Sequence, residues 1–131
     1  MELGALRTLL TALTALMLFA TPVVAGDWED AWAANKAGDY EKEFRLLKGL
    51  AEQGDAGAQY NFGVAYYNGR GVPEDYVQAY AWTSIAATQG NENAKKNKGI
   101  VKKQMTPAQI AKAQELSSEY WEKYVVPFQK D

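Results

Sequence analysis

The sequence predicts an all-α fold, a right-handed α/α superhelix of about three antiparallel helix pairs, and three observations carry that expectation. The first is an internal echo at an offset of 36 residues. Asp39-Tyr40 recurs as Asp75-Tyr76, Gln53-Gly54 as Gln89-Gly90, Ala51 as Ala87 and Ala58 as Ala94. A period of this length marks a helix–turn–helix unit used more than once. The second is apolar spacing at helical period, punctuated by Gly and Pro, throughout the chain after residue 25. The third is that no segment sustains the alternation of a strand. Stacked units of this kind form binding surfaces, so the question of function turns toward partners.

Residues 1–25 are read apart from the fold. Arg7 and the amino terminus give a weakly positive start, and residues 8–20 form an uncharged apolar run. Thr21-Pro22 breaks the run, and Val23-Val24-Ala25 ends in a small residue suited to cleavage before Gly26. This is the grammar of a secretory signal peptide, with an uncleaved anchor over residues 3–19 as the alternative. No Cys follows the run, which argues against a lipoprotein. The expectation is an exported chain, periplasmic or secreted, with no stable membrane span once the signal is removed.

The elements follow in order. A first helix is expected over 27–37, with Asp27, Glu29 and Asp30 suiting its positive N-terminus. Gly38 turns the chain, and Asp39 caps a second helix running to about Gln53, closed by Gly54 in a left-handed conformation. Phe44, Leu47 and Ala51 form its buried stripe, widened by Leu46 and Leu50. The third helix covers 56–68, where Ala58, Phe62, Ala65 and Tyr66 share a face. Gly63 costs about 1 kcal/mol of helix propensity there, which implies a close approach by a neighbour. Gly69-Arg70-Gly71 is a loop plugged by Val72, and Pro73 is expected to start the fourth helix. Ala79, Trp82, Ala86 and Ala87 give that helix its contact ridge before Gly90. A fifth helix is expected from Glu92 to about Gln104, weakened by Gly99. Thr106-Pro107 opens a long sixth, with a stripe of Ile110, Ala113, Tyr120 and Tyr124, Trp121 alongside, and Phe128 docking as tail.

Composition removes much chemistry. The chain has no Cys and no His, so there is no disulfide, none of the usual zinc ligands, no Ser-His pair and no thiol nucleophile. The net charge of −2 gives no global pull toward nucleic acid. Charge is uneven, however: residues 26–75 hold five basic and ten acidic side chains, and residues 91–114 six basic and one acidic. Glu74-Asp75 is the nearest approach to a carboxylate pair, but Asp75 stands where it would cap the fourth helix. Three helix pairs offer a shallow groove in place of an enclosed cleft, so no enzyme, cofactor or metal site is expected.

Ala58-Gln59, Phe62-Gly63, Tyr66, Gly69-Arg70-Gly71-Val72, Asp75-Tyr76, Ala79, Trp82, Ala86-Ala87 and Gln89-Gly90 together resemble one complete Sel-1-like repeat. That family is an α/α solenoid related to tetratricopeptide repeats. By this resemblance residues 56–90 are a full repeat, 26–55 a shortened one, and 91–131 a partial repeat with a C-terminal capping helix. It implies protein–protein interaction, often by an exported adaptor, scaffold or regulator of the bacterial envelope. Cysteine-rich secreted members are linked to β-lactam binding or hydrolysis; this chain lacks their Cys pairs, and the activity is not carried over.

The candidate site follows from helix faces. Tyr60, Val64 and Tyr67 keep an i, i+4, i+7 spacing, with Asn61 and Asn68 beside them, on the helix that lines the inner curve. Tyrosines bind by apolar area plus a hydroxyl, at low rotamer cost; the alternative is that Tyr60 and Val64 pack on the preceding pair. Trp28 and Trp32, an i, i+4 pair, either extend this groove or cap the front of the stack, where exposure would favour a homodimer. Lys95, Lys98 and Lys102 share a helix face, and with the loop residue Arg70 they form a candidate basic dock for an acidic partner. The expected partner is a protein or peptide of the cell envelope. Other readings are a cell-wall or glycan-binding accessory module and a self-assembling structural protein.

Overall fold

The computed structural model describes residues 26–130, and the segment read as a signal peptide lies outside them. Six α-helices follow one another: α1 (Gly26–Ala37), α2 (Tyr40–Glu52), α3 (Ala56–Asn68), α4 (Tyr76–Thr88), α5 (Glu92–Lys102) and α6 (Pro107–Tyr124), with a 3₁₀ turn at Val126–Phe128. Among the described residues there is no strand. No helix there is long and apolar enough to cross a membrane.

Each helix after the first opens on a side-chain cap. Asp39, Asp55, Asp75 and Asn91 accept the N–H groups of Lys42, Ala58, Gln78 and Ala94. Thr106 and Gln109 close a reciprocal capping box at the start of α6. Caps of this kind are each worth about 1 kcal/mol. Asp39 and Asp75 stand 36 residues apart, as do Asp55 and Asn91, so the repeat conserves the points where helices begin.

The fourth helix begins at Tyr76, and not at Pro73 as expected. Pro73 lies in a loop that bends back over the end of α3. Gly69 and Gly71 take left-handed φ angles of 66° and 72°, and the Asp75 N–H donates to the Tyr66 carbonyl at 3.0 Å. A Cβ on Gly71 would strike the carbonyl of Tyr40, so this loop rests directly on the start of α2. That contact, together with the Asp75 cap, decides where the helix starts.

Helix α4 is the centre of the molecule, with an unbroken buried run from Ala79 to Ala86. A helix apolar all round belongs inside, and α3, α5 and α6 all pack on it. Gly63 lets α3 approach: a Cβ there would come within 2.6 Å of Thr83 Oγ1 and 3.1 Å of the Ala79 carbonyl. Trp82, 3 % exposed, joins the repeats. Its ring meets Phe62 edge-on at 4.9 Å and stacks on Tyr124 at 5.1 Å, with Tyr120 at 4.6 Å. Leu47, Leu50, Ala51, Ile85 and Val125 complete this core, and a second cluster of Ala79, Tyr80, Val101 and Ala113 ties α5 and α6 to α4. Buried Gln59 was not foreseen as a core residue. Its Nε2 donates to the Ala51 carbonyl at 3.0 Å and its Oε1 accepts from Gln89 at 2.7 Å, joining α2, α3 and the end of α4.

The fold is thus a helical solenoid, as expected, with one local departure. Helices α5 and α6 both pack on α4 and leave between them an open cleft of about 450 Å³, lined by Tyr80, Lys98, Ser117 and Trp121 among others. The end of α6 then crosses toward the first pair, where Val125 is buried and Phe128 covers Gly54.

Burial leaves a titration signature. Tyr66 and Tyr120 are both held above the ordinary phenol value of 10.0, chiefly by desolvation, with neighbouring charge adding to the rise and, at Tyr120, the hydrogen bond to Gln78 opposing it. Above that pH an unfolded chain ionises these phenols while the folded one keeps them neutral. The unfolded state then binds fewer protons, and stability falls as pH rises. With no His or Cys, no side chain of ordinary pKa titrates between about pH 6 and 9. The expected result is a thermal midpoint flat across that window and falling above about pH 10; a decline that begins below pH 9 would contradict it.

Candidate partner-binding groove

The face formed by α1, α3 and α5 is concave, and three adjoining hollows run across it. The first, about 360 Å³, lies among Trp28, Ala31, Trp32, Asn35, Glu43, Leu47 and Asn61. The second, about 200 Å³, shares Asn35, Glu43 and Asn61 with it and adds Val64, Ala65 and Arg70. The third, about 250 Å³, takes in Val64 again, with Tyr60, Gly63, Tyr67, Asn68, Thr83, Asn97, Ile100 and Val101. Shared side chains link the three hollows in a row from Trp32 to Ile100, the second and third meeting at Val64.

Each expected groove residue takes its place on this face, with different freedom. Tyr60 is half-buried and leans on the following helix, where its hydroxyl accepts from Asn97 Nδ2 at 2.6 Å. Tyr67 is half-buried with its ring 5.5 Å from that of Tyr76. Val64 lies at the junction of two hollows, Asn61 between the first and second, and exposed Asn68 at the end of α3. The two tryptophans part company. Trp28 is anchored: its Nε1 donates to Asp55 at 3.1 Å and its ring lies against Gly57. Trp32 is 64 % exposed and faces the groove, with Lys36 Nζ 3.9 Å from its ring centroid.

The four residues expected as a basic dock do not converge. Lys98 turns to the cleft between α5 and α6, with Nζ 5.5 Å from the Tyr80 ring. Lys95 pairs with Glu92 at 3.0 Å, and Lys102 is exposed at the end of the same helix. Arg70 belongs to the middle of the concave groove, 5.0 Å from the ring of Tyr40. A loop from the second helix pair puts it there, far in sequence from the lysines.

Ile100 and Asn97 were missed as groove residues, and the sequence held the signal. Adding the 36-residue offset to Val64 and Asn61 gives Ile100 and Asn97. Ile100 is 50 % exposed at the far end of the groove from Trp32. Glu43 was missed because it comes from α2 and is brought in only by the pairing of α1 with α2. There its carboxylate accepts both bonds from Asn35 Nδ2 at 3.0 Å. Among the described residues no cluster of acidic side chains is placed to hold a metal ion.

An α/α solenoid of short helix pairs, carrying a concave face of aromatic and amide side chains, is the class these features define. Residues 56–91, α3 and α4 with their loop, match the Sel1 repeat family. The solved structure of c5321, described as a protective antigen of uropathogenic Escherichia coli strains with an SLR fold, is similar at 37 % identity and a TM-score of 0.66. That likeness covers 69 % of this chain and 20 % of the other. HRD3A of Arabidopsis thaliana, an ERAD-associated E3 ubiquitin-protein ligase component, is 33 % identical over 72 residues. There the alignment covers 53 % of this chain and 11 % of the relative. Residues 56–91 are thus a Sel1 repeat, and Sel1 repeats point to an interaction module.

Proposed function

We propose that this chain is an exported adaptor or scaffold of the bacterial envelope that holds a protein or peptide in the groove of α1, α3 and α5. The observation that carries the reading is the position of Trp32 and Ile100. Both are large apolar side chains exposed to water, and they stand at opposite ends of one groove whose middle is floored by Val64. Exposed apolar side chains on a concave face favour a partner that covers them. Tyr60 and Tyr67 add aromatic area with hydroxyls in reach, the side-chain type that dominates binding energy at interfaces. Scaffold folds of this kind rarely carry catalysis, and the groove's side chains offer no nucleophile paired with a base. Export is supported by the grammar of residues 1–25.

The test combines processing with capture. The mature chain from envelope fractions is expected to begin at Gly26 and to retain a defined envelope protein. Tyr60→Ala with Tyr67→Ala is expected to weaken that retention at least tenfold, on the order of 1.4 kcal/mol or more, with helicity unchanged by circular dichroism. Undiminished retention by the double variant would refute the groove, and an uncleaved chain confined to the cytoplasm would refute export.

A further inference from the structure

We infer that the groove selects an acidic peptide segment bearing one bulky apolar side chain, which enters the hollow between α3 and α5. The inference rests on the groove reading above and adds the chemistry of the occupant.

Two observations point the same way. The hollow is lined without a single charged side chain: Gly63 and Thr83 lie on its α3 and α4 walls, and Val64, Ile100 and Val101 supply apolar surface. Its volume of about 250 Å³ suits one large side chain rather than a whole ligand. A charged anchor would be desolvated there with no counter-charge, which excludes it.

The lip has the opposite character. The 36-residue offset maps Tyr60, Asn61, Val64 and Tyr67 onto Lys96, Asn97, Ile100 and Lys103. Where the second repeat has two tyrosines, the next has two lysines in the same register. Asn97 and Ile100 do line the hollow, so the register holds in three dimensions. Lys96 and Lys103 stand four residues before and three after Ile100, on its side of α5. Both are exposed, and neither forms an ion pair among the described residues. Arg70 adds a third cation where the middle hollow meets Val64. Lys95 and Lys98, by contrast, are engaged by Glu92 and the Tyr80 ring. Lys96 and Lys103, which form no ion pair among the described residues and follow the groove register, are therefore the cations that carboxylates beside an apolar anchor would meet.

The test selects binders to the full chain from a random-sequence peptide library and measures the enriched peptides by fluorescence anisotropy. Enriched sequences are expected to combine net negative charge with one Leu, Ile, Phe or Trp. Replacing that residue with Ala, or making Lys96→Glu with Lys103→Glu, is expected to weaken binding roughly tenfold, with strong salt dependence. Lys95→Glu with Lys102→Glu, equal in charge change but on the other face, should alter binding by less than about twofold. Enrichment of neutral or basic peptides would overturn the inference, as would equal effects of the two lysine pairs. The groove reading fails separately, if Tyr60→Ala with Tyr67→Ala leaves the enriched peptides bound as before. If that variant abolishes binding while no charge preference exists, the groove stands and its proposed chemistry falls. A library that yields no enriched sequence would overturn both.

Discussion

Trp82→Ala is expected to destabilise the fold by about 3–5 kcal/mol, the range for deleting a large aromatic from a packed core. The cost should lie toward the upper end, because the indole belongs to no single helix pair. It meets Phe62 of α3 edge-on and lies against both Tyr120 and Tyr124 of α6, so its loss opens a cavity bounded by three helices. Relaxation into such a cavity requires movement of α6, whose end carries buried Val125 into the first pair. For a domain of this size each kcal/mol lowers the thermal midpoint by about 4–8 °C. The fall should therefore be on the order of 12 °C or more, read by circular dichroism at 222 nm. A drop of only a few degrees would mean that α6 is not seated as described.

Gly71→Ala is expected to cost roughly 3 kcal/mol, unusual for one methyl group in a loop. Two penalties coincide there. The backbone is left-handed at φ 72°, and the new Cβ would be driven into the carbonyl of Tyr40. Backbone cannot rotate aside as a side chain can, so the loop would lift from the start of α2. Gly90 provides the control: its φ is 98°, but a Cβ there meets nothing within 4 Å. Gly90→Ala should thus show the conformational penalty alone, about 1 kcal/mol or somewhat more. Equal losses at the two glycines, measured by urea unfolding, would argue against contact between the loop and α2.

How far the molecule was legible in its sequence depended on whether the information was periodic. The 36-residue echo located α2 and α4 through Asp39 and Asp75, and helical spacing found the buried faces that carry Phe62 and Trp82. Pro73 misled because a proline at the first helical position and an aspartate at the cap are both valid start signals. The contact of Gly71 with Tyr40, invisible in sequence, chose between them. The openness of α5 against α6 was equally hidden, since each could pack on α4 without violating its own pattern. In the groove, Tyr60, Val64 and Tyr67 were readable as one face. Lys95, Lys98 and Lys102 were grouped by a shared helix face, although the offset that identified the repeat puts Lys96 and Lys103 in register with the groove residues. Glu43 had no such signal, because only the fold brings α2 to the groove.

The most direct test of the binding face is photo-crosslinking in the producing cell. A photoreactive amino acid would be placed at exposed Asn68, at the mouth of the groove, and separately at exposed Ser118 in the α5–α6 cleft. The groove account predicts a discrete protein or peptide adduct from position 68 that is absent from position 118. An adduct from position 118 alone would contradict it and move the binding face to the cleft over α4.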